Sequence, residues 1–259
     1  MLFSPLEQFQ IFPIIFVNLF CFDFSITNLF LISLIAVFFF LFFVNLISTS
    51  YFTNSKMLTT LFFVPSNWQN LFEQIFSMIL QLIFDNVNKK GEPYFPFIIV
   101  LFLFILVLNL IGLVSYSFTI TSHIIITFIF SISIFIGLNI ICLKIYKSRA
   151  LSLFIPANTS FSLALLLVPI EFISYFFKPI SLGVRLFANL MAGHTLLKVI
   201  VGFSWDLLFL DGLLLSTLHL IPLFILIILF GLELAVAIIQ AYVFTILTCI
   251  YLNDSINLH

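Results

Sequence analysis

Long apolar runs separated by short polar clusters set the plan of this chain. A membrane span needs about 20 apolar residues. Three segments meet that length: LFLISLIAVFFFLFFVNLI (29–47), FPFIIVLFLFILVLNLIGLV (95–114) and IIITFIFSISIFIGLNIICL (124–143). They predict a first transmembrane helix over 29–48, after an N-terminal segment 1–28, and a transmembrane helix pair over 95–143. Between them, NWQNLFEQIFSMILQLIFDNVNKK (67–90) has another rhythm. Leu71, Phe72, Ile75, Phe76, Ile79, Leu82 and Ile83 recur at helical spacing, with Gln69, Glu73, Gln74, Gln81 and Asp85 opposite. That spacing predicts an amphipathic helix lying along the membrane interface.

The C-terminal part follows neither pattern. Pro156–Val201 and Asp211–Leu252 are nearly uninterrupted stretches. As helices each would run roughly 60–70 Å, against a hydrocarbon core of about 30 Å. Each is therefore either a broken pair of spans or one strongly tilted helix. The polar residues are spread along both stretches and do not gather in a central turn, which favours tilt. The fold expected is an all-α integral membrane protein: transmembrane helices, one interfacial amphipathic helix, and two long C-terminal helical stretches, tilted or broken.

Composition agrees. Of 259 residues, 63% are hydrophobic and 7% charged, where a soluble domain carries about 25% charged residues. A net charge of −1 leaves no footprint for nucleic acid. Cys21, Cys142 and Cys249 are far apart and form no CxxC, so neither a disulfide frame nor a metal site is expected. No basic or Arg-rich leader opens the sequence. The 38 phenylalanines exceed what membrane insertion requires, since Leu, Val and Ala serve equally well. They point to an AT-rich coding genome and, without a targeting segment, to a gene inside an organelle; an AT-rich bacterium is the alternative. Lys56, Lys89, Lys90, Lys144, Lys147 and Arg149 all fall on one side if the N-terminus is outside, while SYSFTITSH (115–123) carries no Lys or Arg.

Charges inside a bilayer are costly and usually face a partner or a water-filled path. The first long stretch holds Glu171, Lys178, Arg185, Asn189, His194 and Lys198; the second holds His219, Glu233, Gln240 and, at its end, Asp254. At about 100° per residue, Glu171, Lys178, Ser181, Arg185 and Asn189 share one stripe. His194 lies on the opposite face, and Glu233 and Gln240 share a face of the second helix. Arginine keeps its proton when desolvated and cannot relay one; histidine and glutamate can. A fixed cation between two titratable clusters is the layout of two proton paths separated by a barrier. Plainer readings exist. Lys178 can snorkel, Ser181 and Asn189 can be helix–helix hydrogen bonders, and Gly183 and Gly193 can simply allow close packing. His123 and His219 read as interfacial, Asp254 as solvated, and Arg185 as bridged to Glu233 or Glu171.

SLGVRLFANLMAGH (181–194) together with LELAVAIIQAYVFTILTCIYLND (232–254) resembles the subunit a family of F-type ATP synthases. The likeness extends through 165–194 and 109–123 and fades over the first 50 residues. It implies that Arg185 stands next to the carboxylate of a rotating ring of c subunits, with Gln240 opposite and Asn189 one turn on. It implies Glu171 on an inner-side half-channel and His194 with Glu233 as a coupled pair on an outer-side one. It places Asp254 at the outer channel too, and it makes the two long stretches one strongly tilted C-terminal helical hairpin over 156–254 that faces the ring. Most bacterial members reverse the His/Glu pair, so the order here looks mitochondrial and implies the inner membrane. The implied protein is not an enzyme on its own and has no cofactor. It is the stator subunit that carries protons past the ring, partnered by the c-ring, the peripheral-stalk subunit b, other membrane-sector subunits and the bilayer. A secondary transporter would show inverted repeats, and the two halves here share no such pattern. An antiporter-like respiratory subunit would have many more spans, and an intramembrane enzyme would need paired Asp or HExxH, which the sequence lacks.

Overall fold

The computed structural model describes residues 7–16, 18–19, 22–23, 25–55, 67–114, 118–147, 161–209 and 220–257. Among them the fold is helical, and an integral membrane protein is what its long apolar helices require. The helices are α1 (Asn28–Ser55), α2 (Asn67–Val87), α3 (Phe95–Gly112), α4 (Ile124–Tyr146), α5 (Phe161–Leu208) and α6 (Leu220–Ile256). Short antiparallel pairings precede α1, Pro13–Ile15 with Ile26–Thr27 and Asn18–Leu19 with Phe22–Asp23. Asn28 joins them to the helix. Its Oδ1 accepts from the backbone N–H of Leu29 and Phe12, and its Nδ2 donates to the Gln10 carbonyl. No alternation in the sequence announces these strands. Lys56, Arg149, His219 and Cys21 lie outside the described residues.

The amphipathic pattern of 67–90 becomes α2. Ile79, Leu82, Ile83 and Val87 are buried, while Glu73, Gln74, Gln81 and Asp85 are exposed. The chain then doubles back through a 3-10 helix, Asn88–Tyr94. Asn88 takes a φ of 61° there, a conformation asparagine tolerates better than most residues. A Cβ on Gly91 would stand 2.8 Å from Ile83 Cγ2, so only glycine fits against α2. This reversal seats α3, almost wholly apolar and buried along one side at Ile98, Phe102 and Ile105, against α2 and α6. α4 packs on α5 and α6, closest at Gly183, where a Cβ would stand 2.8 Å from Ser131 Oγ and 3.2 Å from the Thr127 carbonyl oxygen.

The two long C-terminal stretches are each one unbroken helix, 48 residues in α5 and 37 in α6. α5 continues through Pro169 and Pro179. Each proline removes one backbone N–H, a loss membrane helices tolerate when neighbouring groups satisfy the freed carbonyl.

Candidate functional site

α5 and α6 run antiparallel, and three side-chain pairs show it. As the α5 position rises from 178 through 189 to 194, its partner on α6 falls from 254 through 240 to 233. Glu171, Lys178, Ser181, Arg185, Asn189, His194, Glu233, Gln240 and Asp254 all sit on this hairpin.

At one end, Lys178 Nζ lies 2.8 Å from Asp254 Oδ2, with both side chains about one-third exposed. Two rings flank the ammonium, Tyr175 at 5.4 Å and Tyr251 at 5.0 Å from its nitrogen to the centroid. The Tyr175 hydroxyl donates to Asn139 Oδ1 on α4. Lys178 therefore does not merely snorkel; it fastens α5 to α6. The exposed Lys89 and Lys90, with Lys144 and Lys147, belong to this same end, because Lys90 donates to Asn257 Oδ1 (2.9 Å) and Tyr146 donates to the Ile256 carbonyl. Asp254 thus stands at the Lys178 end, across Arg185 from His194 and Glu233, because the antiparallel register brings the last turn of α6 to the first half of α5. Glu171, also on this side of Arg185, is half-buried, and its Oε2 has no hydrogen-bond partner among the described residues.

In the middle, Asn189 Nδ2 donates to Gln240 Oε1 at 2.9 Å. Arg185, one turn away, is exposed. Its charge acts on Tyr251 of α6, but among the described residues no carboxylate bridges it. The plain salt-bridge reading with Glu233 or Glu171 therefore fails, since Glu233 is held at the far end of the site and Glu171 is about 21 Å along the helix. Ser181 is exposed and bridges nothing to α6 among the described residues.

At the other end, His194 Nε2 and Glu233 Oε1 are 3.8 Å apart, with side chains only 14% and 7% exposed. The imidazole is also engaged with the Gly112 backbone of α3, which fixes its orientation. Neither Glu233 oxygen nor His194 Nε2 has a hydrogen-bond partner among the described residues. The separation exceeds a direct hydrogen bond but suits one bridging water. His194 faces α6 through Glu233, whereas Arg185, half a turn away, is exposed, so one hairpin carries both groups on different faces of α5.

Gly193 is the residue whose role the sequence leaves indistinct. A Cβ there would stand 2.6 Å from Glu233 Oε1 and 3.0 Å from its carboxyl carbon. It is a seat for the carboxylate, beyond a packing allowance. Gly193→Ala is expected to push the flexible carboxylate end of Glu233 away from His194, at little cost to the fold, and to lower the protein's turnover about ten-fold through loss of that pairing. Gly202→Ala, where a Cβ meets nothing within 4 Å, is the control. Equal turnover in the two variants would show that the close approach is without consequence. Asn109 is a second residue the sequence reading passed over. The signal was there: it is one polar side chain in an 18-residue apolar helix.

The family model described as ATP synthase A chain matches residues 30–253. Relatives agree along the whole length. The chain is 52% identical over 256 residues to "ATP synthase subunit a" of Pylaiella littoralis, covering 99% of both chains. It is 47% identical over 256 residues to the protein of the same name from Chondrus crispus, covering 99% of this chain and 97% of the relative. It is 46% identical over 260 residues to that of Brassica napus, again covering 99% and 97%.

Proposed function

The chain belongs to the ATP synthase A chain family, membrane-sector subunits of ATP synthase, and from that premise we propose that it carries protons past a rotating ring and couples their passage to ATP synthesis. One observation carries the reading. Arg185 is exposed on an apolar helix face, flanked by Ile180 and Val184, with no carboxylate of the described residues on it. An arginine on a bilayer-facing surface demands a partner, and a ring subunit with a carboxylate at mid-membrane supplies one.

The rest of the hairpin fits this role. Protons enter from outside through His194 and Glu233 and protonate a ring carboxylate. The ring turns. The next carboxylate, deprotonated opposite Arg185, has released its proton towards Glu171 and Asp254 on the inner side. Asn189 and Gln240, bonded to each other, line the crossing point. α5, roughly 70 Å long, cannot stand upright in a core of about 30 Å. It lies strongly tilted, so that inner and outer groups present themselves to successive ring positions at similar depth. α2 lies at the interface, the 95–143 pair spans, and the peripheral-stalk subunit b with other membrane-sector subunits covers apolar faces away from the ring. The phenylalanine-rich composition and the His194/Glu233 order support an organelle-encoded protein of the mitochondrial inner membrane.

Glu171→Gln tests the inner half. In the whole ATP synthase reconstituted into vesicles, the variant is expected to assemble normally and to slow proton-driven synthesis by about ten-fold, less than the roughly 100-fold usual for loss of a proton-transfer group, because Asp254 shares this side of Arg185. Measuring synthesis alongside the amount of assembled complex separates the outcomes. Normal assembly with undiminished synthesis removes Glu171 from the path.

A further inference from the structure

His123 is the residue on which α4 starts, and its ring is half-buried. Its Nε2 is shut off from the surface and has no hydrogen-bond partner among the described residues. The ring stacks on Phe118, centroids 5.1 Å apart. Next to it in the connection between α3 and α4, Thr119 is 2% exposed and its Oγ1 is likewise unpartnered. Thr119 touches the end of α3, its Cγ2 3.4 Å from where a Gly112 Cβ would stand. Gly112 is the residue that holds the His194 ring. One turn earlier on α3, Asn109 is 1% exposed; its Nδ2 donates to the Ala237 carbonyl at 3.1 Å, and its Oδ1 is unpartnered. Ala237 stands one helical turn from Glu233 and three residues from Gln240.

Eight buried side-chain atoms lack a hydrogen-bond partner among the described residues, and seven of them belong to Asn109, the 119–123 segment, His194 and Glu233. The eighth is Glu171 Oε2. Scattered packing faults would not gather this way. Buried polar atoms are satisfied by protein or by ordered water, and a buried water needs two to four polar partners. The turn at 120–122 packs on both α3 and α5, the helices that carry Asn109 and His194.

We propose that His123, Thr119 and Asn109 extend the His194–Glu233 pair into one hydrated string from the 118–123 connection to Gln240, with His123 the outermost proton acceptor. The inference rests on the function proposed above and adds three residues to it. Thr119 relays through its hydroxyl beside His194. Asn109 holds water between Glu233 and the Asn189–Gln240 bond. Both are positioning residues, whereas His123 itself exchanges the proton.

The test uses the whole complex in vesicles, with synthesis measured against outer proton concentration. His123→Phe keeps the stack on Phe118 and removes the nitrogens; it should raise the half-saturating proton concentration on the order of ten-fold. Thr119→Val and Asn109→Leu should lower the maximal rate severalfold, and Thr119→Ser, which keeps the hydroxyl, should restore it. Unchanged profiles in all three, or a Thr119→Ser as impaired as Thr119→Val, overturn the proposal. If Thr119→Val does not assemble, Thr119→Cys decides. Silver ion added outside should block its flux and should spare Ile125→Cys, whose side chain is 69% exposed on the outer face of α4. Equal sensitivity of the two, or none at Thr119→Cys, overturns the string. An unsubstituted complex that fails to couple proton flux to synthesis would instead break the underlying function.

Discussion

Arg185→Ala is expected to abolish proton-driven ATP synthesis while the assembled complex lets protons leak. The reasoning starts from the cost of a bare carboxylate in hydrocarbon, which no ring subunit bears unaided. A guanidinium alongside favours the charged form, so under the proposed function a ring carboxylate would lose its proton beside Arg185 and stay protonated on the rest of its circuit. The same fixed cation repels protons, keeping Glu171 and Asp254 on one side from His194 and Glu233 on the other. Its placement suits both tasks. It is exposed on α5 and unbridged by any carboxylate among the described residues, and so available to a passing partner without being captured by its own chain. Holding a central charge in a membrane helix costs about 2.5–3.5 kcal/mol on the lenient insertion scales. A neutral residue here would ease insertion, so a defect in Arg185→Ala cannot be ascribed to poorer embedding. Arg185→Lys is expected to fail as well, because a desolvated ammonium gives up its proton readily. Proton flux and synthesis measured together decide the matter; wild-type coupling in Arg185→Ala would refute the barrier.

How much of this was legible before any coordinates depended on whether the signal was local. Charges and amides in apolar runs stand out one by one, so Arg185, Asn189, His194, Glu233 and Gln240 could be named directly. The unbroken character of α5 could not be decided, because a 48-residue helix and two shorter ones share the same hydropathy. Pairings were also out of reach. Lys178 and Asp254 are 76 residues apart, and each separately reads as a solvated charge. Only the antiparallel register of α5 and α6 joins them and sets Asp254 at the opposite end from His194 and Glu233. Gly193 illustrates the reverse problem. A glycine in a membrane helix is so ordinary that its contact with Glu233 leaves no trace in the chain. Asn109 and His123 were visible as letters, but their significance lies in what their buried atoms lack, and that is a property of packing.

Glu233→Gln should have the second largest effect, of a different kind. The amide keeps the volume that fills the space over Gly193, so the fold around it should hold. It cannot take up and release a proton, and proton-driven synthesis is expected to fall by about 100-fold or more, within the usual range for loss of a proton-transfer group. Arg185 is untouched, so no leak should accompany the loss. The two variants thus divide the mechanism: Arg185→Ala passes protons without work, and Glu233→Gln passes few at all. A swap sharpens the test. His194→Glu alone sets two carboxylates where 3.8 Å now separates imidazole nitrogen from carboxylate oxygen, and like charges that close suppress each other's ionisation. Exchanging both residues, His194→Glu with Glu233→His, restores one acid and one imidazole to the site. The double variant should therefore outperform His194→Glu, although an imidazole against Gly193 fits less well than the carboxylate does. If the exchange is no better than the single change, the pair does not act as a unit, and Glu233 must serve the outer path alone.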